Sequence, residues 1–341
     1  MNLFVPKRAF FEPQALEYPL GKELYGKLEA MGVPIKLTGS HNRVTGLPGK
    51  TPQEAFREAK RTMAIGVRKS TDFASCKPSA HYQLPLNTSC PSMCEYCYLA
   101  TTLGKKPYIR VYVNIEEIFS QAESYMKARA PELTWFEGAA TSDPIPTEYL
   151  TGLLFKTIEF FGRHELGRFR FVTKHDQVDT LLRARHNGHT RFRFSLNAAA
   201  IIEKYEHATS SMAERVGAAA KVAKAGYPLG FIIAPIFYFP GWQDEYGKLL
   251  EALDRQLPND ARSDLTFELI SHRFTKRAKS NILDLFPETT LPLEESERKY
   301  KYGQFGYGKY IYQPEVMAEI KEFMEFKLSS IFSQAKIEYF V

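Results

Sequence analysis

Segments typical of β-strands and of α-helices alternate along most of this chain. The strand-like segments are short runs rich in apolar, β-branched and aromatic residues, and longer segments with helical spacing separate them. They lie at 82–87, 133–137, 169–173, 191–196, 229–235 and 264–269. Such alternation predicts a parallel sheet with right-handed crossovers. Six strand–helix units are too few for a closed eight-stranded barrel, so we predict an α/β fold built on an open, partial barrel.

Helical spacing predicts the segments that connect and flank these strands. Thr51, Pro52 and Glu54 form a start signal with a capping box for the first helix. The predicted helices cover 51–68, 114–129, 147–162, 177–186, 198–224 (one helix or two), 242–256, 272–285 and 314–333. We therefore predict an N-terminal α/β covering segment over 1–80, the partial barrel over 81–285, and a C-terminal hairpin with a covering helix over 286–341.

Composition places the chain among soluble globular proteins. It has 341 residues, of which 44% are hydrophobic and 25% are charged. It contains no apolar run long enough to span a membrane, and its first residues do not resemble a signal peptide. We therefore predict a cytoplasmic protein that does not bind membranes. The net charge of +6 permits an anionic partner such as nucleic acid but does not require one.

Polar and reactive residues follow the predicted strands. In parallel α/β barrels, the C-terminal ends of the strands carry the catalytic groups. At those ends this sequence has Cys90, 138–143, Lys174, 195–197, 234–235, and Glu268 with His272. We therefore expect these residues to share one end of the barrel.

All four cysteines fall within 22 residues. Cys90, Cys94 and Cys97 have the spacing C-x₃-C-x₂-C, and Cys76 lies 14 residues upstream of them. Clustered cysteines in a cytosolic protein indicate metal or redox chemistry rather than disulfides. A structural zinc site needs four ligands, normally in two separated pairs, whereas three thiolates can hold a four-iron–four-sulfur (4Fe–4S) cluster and leave one iron open. Cys76 is either a fourth ligand or, as we favour, a buried unreactive thiol.

The cysteine motif resembles that of the radical S-adenosylmethionine (SAM) superfamily, in which an aromatic residue, here Tyr96, precedes the last cysteine. The resemblance implies a partial (β/α)6 TIM-like barrel, with Cys90, Cys94 and Cys97 as ligands of a 4Fe–4S cluster. It also implies that SAM chelates the open iron. An electron from a donor such as flavodoxin or ferredoxin then cleaves SAM to methionine and a 5′-deoxyadenosyl radical.

Further segments resemble the spore photoproduct lyase family over most of the chain. They are SCPSMCEYCYLATTLGKKPYIRVYVN at the cysteines, FEGAATSD at 136–143, FVTKHD at 171–176, FSLN at 194–197 and RKYKYGQFGYGKYIY at 298–312. The resemblance implies a DNA-repair lyase that converts the spore photoproduct, a methylene-bridged thymine dimer, back to two thymines. It places the protein in the cytoplasm of the spore core or germinating spore. Nothing in the sequence demands more than a monomer.

The resemblance also assigns the radical chemistry to particular residues. A tyrosine relays the radical in this family, and Tyr98 matches it, with Tyr96 as a second candidate. By residue type alone, packing of Tyr98 against the barrel would be the favoured interpretation. A cysteine after the second strand returns the final hydrogen, but this chain has Ala140 there. Alanine has no S–H hydrogen, so we expect an impaired variant. An engineered substitution is the favoured explanation. The alternatives are a natural homologue with another hydrogen donor and an enzyme that has lost its activity.

Residues at the other strand ends match family positions near SAM. A lysine ammonium suits the SAM carboxylate, and hydroxyl and amide groups suit its polar ends. Each residue alone could instead cap the end of its strand. The candidates are Ser142, Asp143, Lys174, Ser195, Asn197 and Ala234.

Residues 298–312 are rich in basic and aromatic residues and contain no acid. Two aromatic arms around a glycine-bearing turn predict a β-hairpin. Basic side chains contact phosphates and aromatic ones stack on bases, so we predict that the hairpin binds DNA and fills the gap left when the dimer flips out. A second basic stretch covers 163–193, and either stretch could instead be a solvated face. The hairpin candidates are Arg298, Lys299, Lys301, Tyr302, Phe305, Tyr307 and Lys309.

Two other functions fit the same motifs. A different radical SAM enzyme would act on RNA or on a peptide and would leave the lesion unchanged. A non-enzymatic iron–sulfur protein would bind nucleic acid or sense redox state, and it would not cleave SAM.

Overall fold

A computed structural model describes residues 3–70, 72–104, 106–303 and 308–341. The described residues divide into two compact units, each built from separate stretches of chain. The first unit lies within Met1–Pro91, Leu103–Thr173 and Gln177–Arg191, and the second within Ser92–Thr102, Lys174–Asp176 and Phe192–Val341. The division into three domains that we drew from the sequence stays a prediction.

The strands are short, as expected for an α/β protein. In chain order they are β1 (Arg8–Phe11), β2 (Ile35–Leu37), β3 (Thr62–Gly66), β4 (Ser75–Cys76), β5 (Ala80–Gln83), β6 (Asn87–Thr88), β7 (Met93–Cys94), β8 (Ile109–Tyr112), β9 (Thr134–Glu137), β10 (Gly167–Thr173), β11 (Thr190–Leu196), β12 (Glu206–His207), β13 (Leu229–Ile236), β14 (Thr266–Ser271), β15 (Lys299–Tyr302), β16 (Gly308–Ile311) and β17 (Lys336–Phe340).

The α-helices of the described residues run from four to 18 residues. They are α1 (Pro19–Ala30), α2 (Pro52–Lys60), α3 (Leu99–Thr102), α4 (Ile115–Arg129), α5 (Ile145–Thr151), α6 (Leu153–Gly162), α7 (Ala199–Tyr205), α8 (Met212–Lys224), α9 (Trp242–Gln256), α10 (Lys276–Leu285) and α11 (Pro314–Ile331). Short 3₁₀ helices cover Pro13–Glu17, Asn259–Asp264 and Glu295–Glu297. No helix of the described residues is long and apolar enough to cross a membrane.

The first unit contains a five-stranded sheet in the order β2-β1-β3-β8-β6. Its strands are parallel except for β6, which pairs antiparallel with β8. Our predicted helix over 51–68 is wrong in its second half. Helix α2 begins with the predicted capping box at Thr51 but ends at Lys60, and the chain then continues as β3. Every residue of β3 is buried between β1 and β8, and this central position favours a strand over a continued helix.

The first unit also contains β4, β5, β9 and β10 as neighbours. Strands β4 and β5 are antiparallel, whereas β5, β9 and β10 are parallel. Strand β11 begins in this unit beside β10, because the Phe169 amide donates to the His189 carbonyl at 2.9 Å just before β11 starts. Four aromatic side chains form the core behind these strands, namely Phe136, Phe161, Phe169 and Phe171.

The second unit is built on the continuation of β11, followed in space by β13, β14 and β17, all parallel. Two small antiparallel pairs accompany them, β7 with β12 and β15 with β16. The six strands predicted from the sequence correspond to β5, β9, β10, β11, β13 and β14. The predicted parallel α/β class is therefore confirmed.

The helix predicted over 177–186 is absent, and the segment forms turns. Val178, Leu181 and Ala184 are buried, which gave the apolar spacing of a helix. The Leu181 amide instead donates to the Val178 carbonyl at 2.9 Å, and the Ala184 amide donates to the Leu181 carbonyl at 3.1 Å. A repeat of three residues is the period of successive tight turns, so the same spacing fits both structures.

Candidate functional site

The loop after β9 lies beside the first cysteine of the C-x₃-C-x₂-C motif. The Ser89 amide donates to the Thr141 carbonyl at 2.7 Å, and Ser89 forms a parallel bridge with Ser142. Ser89 has a φ of 64°, in the left-handed region, and its hydroxyl donates to the Pro107 carbonyl at 2.7 Å. These contacts hold a backbone conformation that is costly for serine. They fix Cys90, the next residue, close to this loop within the first unit.

Ser142 and Asp143, two of the predicted SAM contacts, are buried in this loop. The Asp143 carboxylate accepts hydrogen bonds from the Thr173 hydroxyl at 3.0 Å and from the Ile145 amide at 3.2 Å, so it stabilises the start of α5. The Ser142 hydroxyl has no hydrogen-bond partner among the residues that the structure describes. A buried polar group without a partner needs a further group to satisfy it. Ser142 therefore suits a cofactor contact.

Glu137 connects the loop that carries Ala140 to the turn that follows Cys76. Its carboxylate accepts from the Ala139 amide at 3.1 Å and from the Ser79 hydroxyl at 3.2 Å. Ser79 lies in the turn between β4, which ends at Cys76, and β5. Both Cys76 and Ala140 are half-buried. The sequence-based interpretation of Cys76 as a buried thiol is therefore wrong, because its side chain reaches the surface of the unit.

Cys94 and Cys97 lie in the second unit. Cys94 is buried on β7, opposite Glu206 of β12, and its carbonyl accepts from the Cys97 amide at 3.1 Å. Within the described residues, no three His, Cys, Asp or Glu side chains lie close enough to hold one metal ion. In a 4Fe–4S cluster, however, each thiolate binds a different iron. Three thiolates at this spacing suit such a cluster, and their role as its ligands stays a prediction for Cys90, Cys94 and Cys97.

Tyr96 belongs to a buried network of charged groups. Its phenol donates to the Glu206 carboxylate, and the Lys174 ammonium donates to Tyr96 Oη at 3.0 Å and to Glu206 Oε1 at 2.7 Å. Burial of the phenol and the charge of Glu206 raise the pKa of Tyr96 well above its usual value. Burial opposes ionisation of Glu206, but Lys174 and Arg215 outweigh it and lower its pKa to about 2. A neutral tyrosine is thus held against an ionised carboxylate.

Arg215 holds this network in place. Its side chain is 0% exposed and donates to Glu206 Oε2 at 2.5 Å. It also donates to the carbonyls of Ser195 and Ser210, both at 2.9 Å. The Ser210 amide in turn donates to the Lys174 carbonyl at 3.0 Å. One buried guanidinium therefore connects two predicted SAM contacts, Lys174 and Ser195, within the second unit.

The Asn197 side chain forms hydrogen bonds within the protein. Its amide nitrogen donates to the Pro235 carbonyl at 2.8 Å, and its side-chain oxygen accepts from the Ala198 amide at 3.0 Å and from the Tyr246 hydroxyl at 2.7 Å. These are the bonds of a strand-end cap. A SAM contact at Asn197 therefore rests on the resemblance alone. Ala234 is half-buried near the end of β13 and offers only its backbone and methyl group to a ligand.

Tyr98 differs from Tyr96 in its surroundings. Its side chain is 62% exposed, whereas Tyr96 is half-buried. This exposure does not favour the packing role considered for Tyr98 from the sequence. Its role in a radical relay stays a prediction.

Strands β15 and β16 form an antiparallel pair with two chemically different faces. Lys299 and Lys301 alternate with tyrosines along β15, and Lys309 lies opposite Lys301. Successive side chains of a strand point to opposite faces. The three lysines therefore share one face, while Tyr300 and Tyr302 lie on the other. The ring of Tyr302 is 68% exposed, so both faces offer side chains to a partner.

Arg298, just before β15, is buried, unlike Tyr302. Its guanidinium donates to the carbonyls of His272 at 3.0 Å and Pro292 at 3.1 Å, and it lies 3.7 Å from the ring centroid of Tyr312. Only 7% of the residue is exposed. The structure thus contradicts the prediction of Arg298 as a DNA contact and gives it a packing role. The other predicted DNA contacts, Phe305 and Tyr307, lie outside the described residues.

Two arginines of the second basic stretch are also structural. Arg170 lies 3.5 Å from Glu137, and Arg193 lies 2.6 Å from Glu268. All four side chains are buried. Their charges are therefore compensated inside the protein, and the stretch over 163–193 is not one solvated or DNA-binding face.

Sequence reasoning missed three charged residues of these sites. Glu206 is 110 residues from Tyr96 along the chain, and Lys60 is 30 residues before Cys90, whose carbonyl it contacts at 3.0 Å. Neither separation belongs to a motif. The available signal was weak: Lys60 and Arg215 each fall on the buried face of a helix, where a charged side chain is unusual.

Comparison with known proteins identifies the family. The family model for spore photoproduct lyase matches residues 4–341. Spore photoproduct lyase of Bacillus subtilis (strain 168) is 54% identical over 339 residues, which cover 99% of each chain. A solved structure of a spore photoproduct lyase mutant holds AdoMet and dinucleoside spore photoproduct; in it, alanine replaces a cysteine and cysteine replaces a serine.

That mutant has a TM-score of 0.97 and 53% identity, and the match covers 100% of both chains. A spore photoproduct lyase complexed with dinucleoside spore photoproduct matches with the same TM-score, identity and coverage. Agreement over the whole length confirms the predicted partial-barrel fold. The chain belongs to the spore photoproduct lyase family, a family of enzymes of the lyase type.

Proposed function

We propose that this chain repairs spore photoproduct in DNA by radical chemistry. The main support is its full-length similarity to lyases whose solved structures hold dinucleoside spore photoproduct, in one case with AdoMet. The cysteine spacing and the buried Ser142 hydroxyl suit a 4Fe–4S cluster and SAM in this chain. When bound, these groups supply a 5′-deoxyadenosyl radical, which can take a hydrogen from the lesion. The electron comes from a donor such as flavodoxin or ferredoxin, and the protein acts as a cytoplasmic monomer in the spore or germinating cell.

The residues of the second unit bind and orient in this proposal. Lys174 receives the SAM carboxylate, because its ammonium is half-buried and already oriented by Glu206 at 2.7 Å. Arg215 keeps Glu206 ionised and fixed, so that Lys174 keeps its position. Tyr96 and the exposed Tyr98 are the phenols available for a radical relay. The Tyr96 phenol donates its proton in a hydrogen bond to Glu206. Because the pKa of Tyr96 is raised, the phenol stays protonated near neutral pH.

We further infer that Cys76 returns the final hydrogen, which Ala140 cannot supply. Cys76 is half-buried, and Glu137 joins its turn to the loop of Ala140 through one hydrogen bond to each. The mutant relative that holds AdoMet and the lesion has gained a cysteine in place of a serine and an alanine in place of a cysteine. This chain has cysteine at 76 and alanine at 140. Without a second donor, it would be the impaired variant that Ala140 suggests.

The hydrogen transfer balances as a single-electron step. The S–H bond of Cys76 breaks homolytically, and a C–H bond forms at the methylene carbon of the opened lesion, which becomes the thymine methyl group. A thiyl radical is left on Cys76. It must regain a hydrogen atom before the next turnover, and the phenol O–H of Tyr98 or Tyr96 would supply it. The tyrosyl radical left behind would in turn take a hydrogen atom from the methyl group of 5′-deoxyadenosine, which closes the cycle.

Product analysis on a methylene-bridged thymine dinucleotide tests the repair function. The protein would be reconstituted anaerobically with iron and sulfide and supplied with SAM and dithionite. We expect SAM-dependent formation of thymine dinucleotide. Cleavage of SAM without any lesion turnover would instead favour a radical enzyme for RNA or a peptide. No SAM cleavage, and no spectral change of the cluster on adding SAM, would favour a non-enzymatic iron–sulfur protein.

The β15–β16 pair is our candidate for binding duplex DNA. Combined Lys299→Ala and Lys301→Ala substitutions should lower affinity for lesion-bearing duplex and make the log–log salt slope less negative by about 2, because each lost phosphate contact removes about 0.9. Tyr302→Ala should weaken duplex binding as well. Turnover of the free dinucleotide lesion should stay unchanged in all of them. Lys321→Ala, an exposed lysine on α11, is the matched control. Equal losses on both substrates would refute this role.

A further inference from the structure

Lys60 is a buried lysine beside the first predicted cluster ligand. It is the last residue of α2, and only 3% of it is exposed. Its ammonium donates to the Cys90 carbonyl at 3.0 Å and lies 3.5 Å from the Ser89 hydroxyl. It also lies 5.5 Å from the centroid of the Phe56 ring. These residues all belong to the first unit, so the contacts do not depend on the second.

The charge of Lys60 has no acidic counterpart nearby. Among the residues that the structure describes, no Asp or Glu carboxylate forms an ion pair with it, and its polar contacts are a carbonyl and a hydroxyl. Placing an ammonium in a protein interior without an opposite charge costs several kcal/mol. Lys174, which is only half-buried, differs from Lys60 because its ammonium lies 2.7 Å from the Glu206 carboxylate. The surroundings of Lys60 therefore suit a cation whose negatively charged partner is a bound group rather than a side chain.

We propose that Lys60 stabilises the reduced form of the cluster bound by Cys90 and thereby raises its reduction potential. The inference rests on the proposed function in one respect, that the three cysteines hold a 4Fe–4S cluster. Such a cluster with three thiolates is anionic, and one electron from a low-potential donor adds a further negative charge. A fixed cation near a ligand favours the more negative state, and net charge and hydrogen bonding both set cluster potentials. Lys60 acts through Cys90 and is a positioning residue.

Three substitutions separate charge from hydrogen bonding. Lys60→Met removes both, Lys60→Gln keeps a donor without charge, and Lys60→Arg keeps the charge. Arg57→Met removes an exposed charge from the same helix and is the control. The midpoint potential of the reconstituted cluster would be measured for each by a redox titration followed by electron paramagnetic resonance. Iron content and circular dichroism would be measured on the same samples.

We expect more negative potentials for Lys60→Met and Lys60→Gln, and potentials near that of the unchanged protein for Lys60→Arg and Arg57→Met. An unchanged potential in Lys60→Gln would contradict the proposal, as would equal shifts in Lys60→Arg and Lys60→Met. Loss of iron from all three Lys60 variants would also contradict it, because Lys60 would then serve assembly of the site. If the unchanged protein itself binds no cluster, the proposed function fails, and this inference fails with it.

Discussion

Replacing Cys76 by alanine should nearly abolish formation of repaired thymine dinucleotide. We expect almost no normal product, because Ala140 has no S–H bond that could replace that of Cys76. The lesion should still be opened, so its disappearance and SAM cleavage should continue while abnormal products accumulate. Quantitative chromatography of the dinucleotide products measures both effects.

Two further variants make this result specific. Cys76→Ser keeps the size and polarity of the side chain but has a stronger O–H bond, so it should fail as Cys76→Ala does. Adding Ala140→Cys to Cys76→Ala should restore normal product, because it returns a thiol to the loop that Glu137 connects to Cys76. Normal product yield from Cys76→Ala alone would refute Cys76 as the donor and leave the tyrosines as candidates.

Replacing Arg215 by methionine should destabilise the protein by about 3–5 kcal/mol, the typical cost of removing one partner from a buried ion pair. The change leaves Glu206 with Lys174 as its remaining cation and leaves the carbonyls of Ser195 and Ser210 without this donor. We also expect weaker SAM binding, since Lys174 loses its fixed partner. Denaturant unfolding and SAM titration measure the two effects.

Arg255→Met is the matched control for Arg215→Met. Arg255 forms a helical ion pair with Glu251 at 3.7 Å, and both side chains are well exposed. Exposed pairs contribute about 0–1 kcal/mol, so this variant should unfold almost as the unchanged protein does. A loss below about 1 kcal/mol for Arg215→Met as well would show that the buried network is not an important source of stability.

The lowered pKa of Glu206 predicts how the network responds to acid. The pKa falls from 4.5 to about 2 on folding, so Glu206 contributes stability above pH 4.5 and loses it as the pH falls towards 2. This sign agrees with a carboxylate that two cations hold ionised. The acid-induced loss should be smaller in Arg215→Met, because one of those cations is gone.

Local sequence patterns correctly predicted the strands and helices that depend little on their position in the fold. The run 229–235 is apolar throughout and became β13 at a buried position, and α9 has the predicted bounds, 242–256. Prediction failed where tertiary position decides. The segment after Lys60 became a central strand because β1 and β8 surround it, and β1 lies more than 50 residues earlier.

The residues of the candidate site were likewise predictable where a local motif marks them and not where distant contacts decide. The cysteine spacing is local and was visible in the sequence, whereas the interest of Ala140 came from the family resemblance. The pairing of Tyr96 with Glu206 and the burial of Arg298 depend on contacts between distant segments. A basic residue in an aromatic-rich stretch can contact phosphate or stack inside the protein, and only the fold decides that Arg298 stacks on Tyr312.

Repair of the dinucleotide lesion in deuterium oxide tests the central claim most directly. Thiol and phenol hydrogens exchange with solvent, whereas carbon-bound hydrogens of the lesion and of SAM do not. We predict that the unchanged protein forms thymine dinucleotide with one deuterium in the new methyl group, and that Cys76→Ala forms almost none. Normal product without deuterium would contradict return of the hydrogen by Cys76, and the absence of any thymine product would contradict the repair function itself.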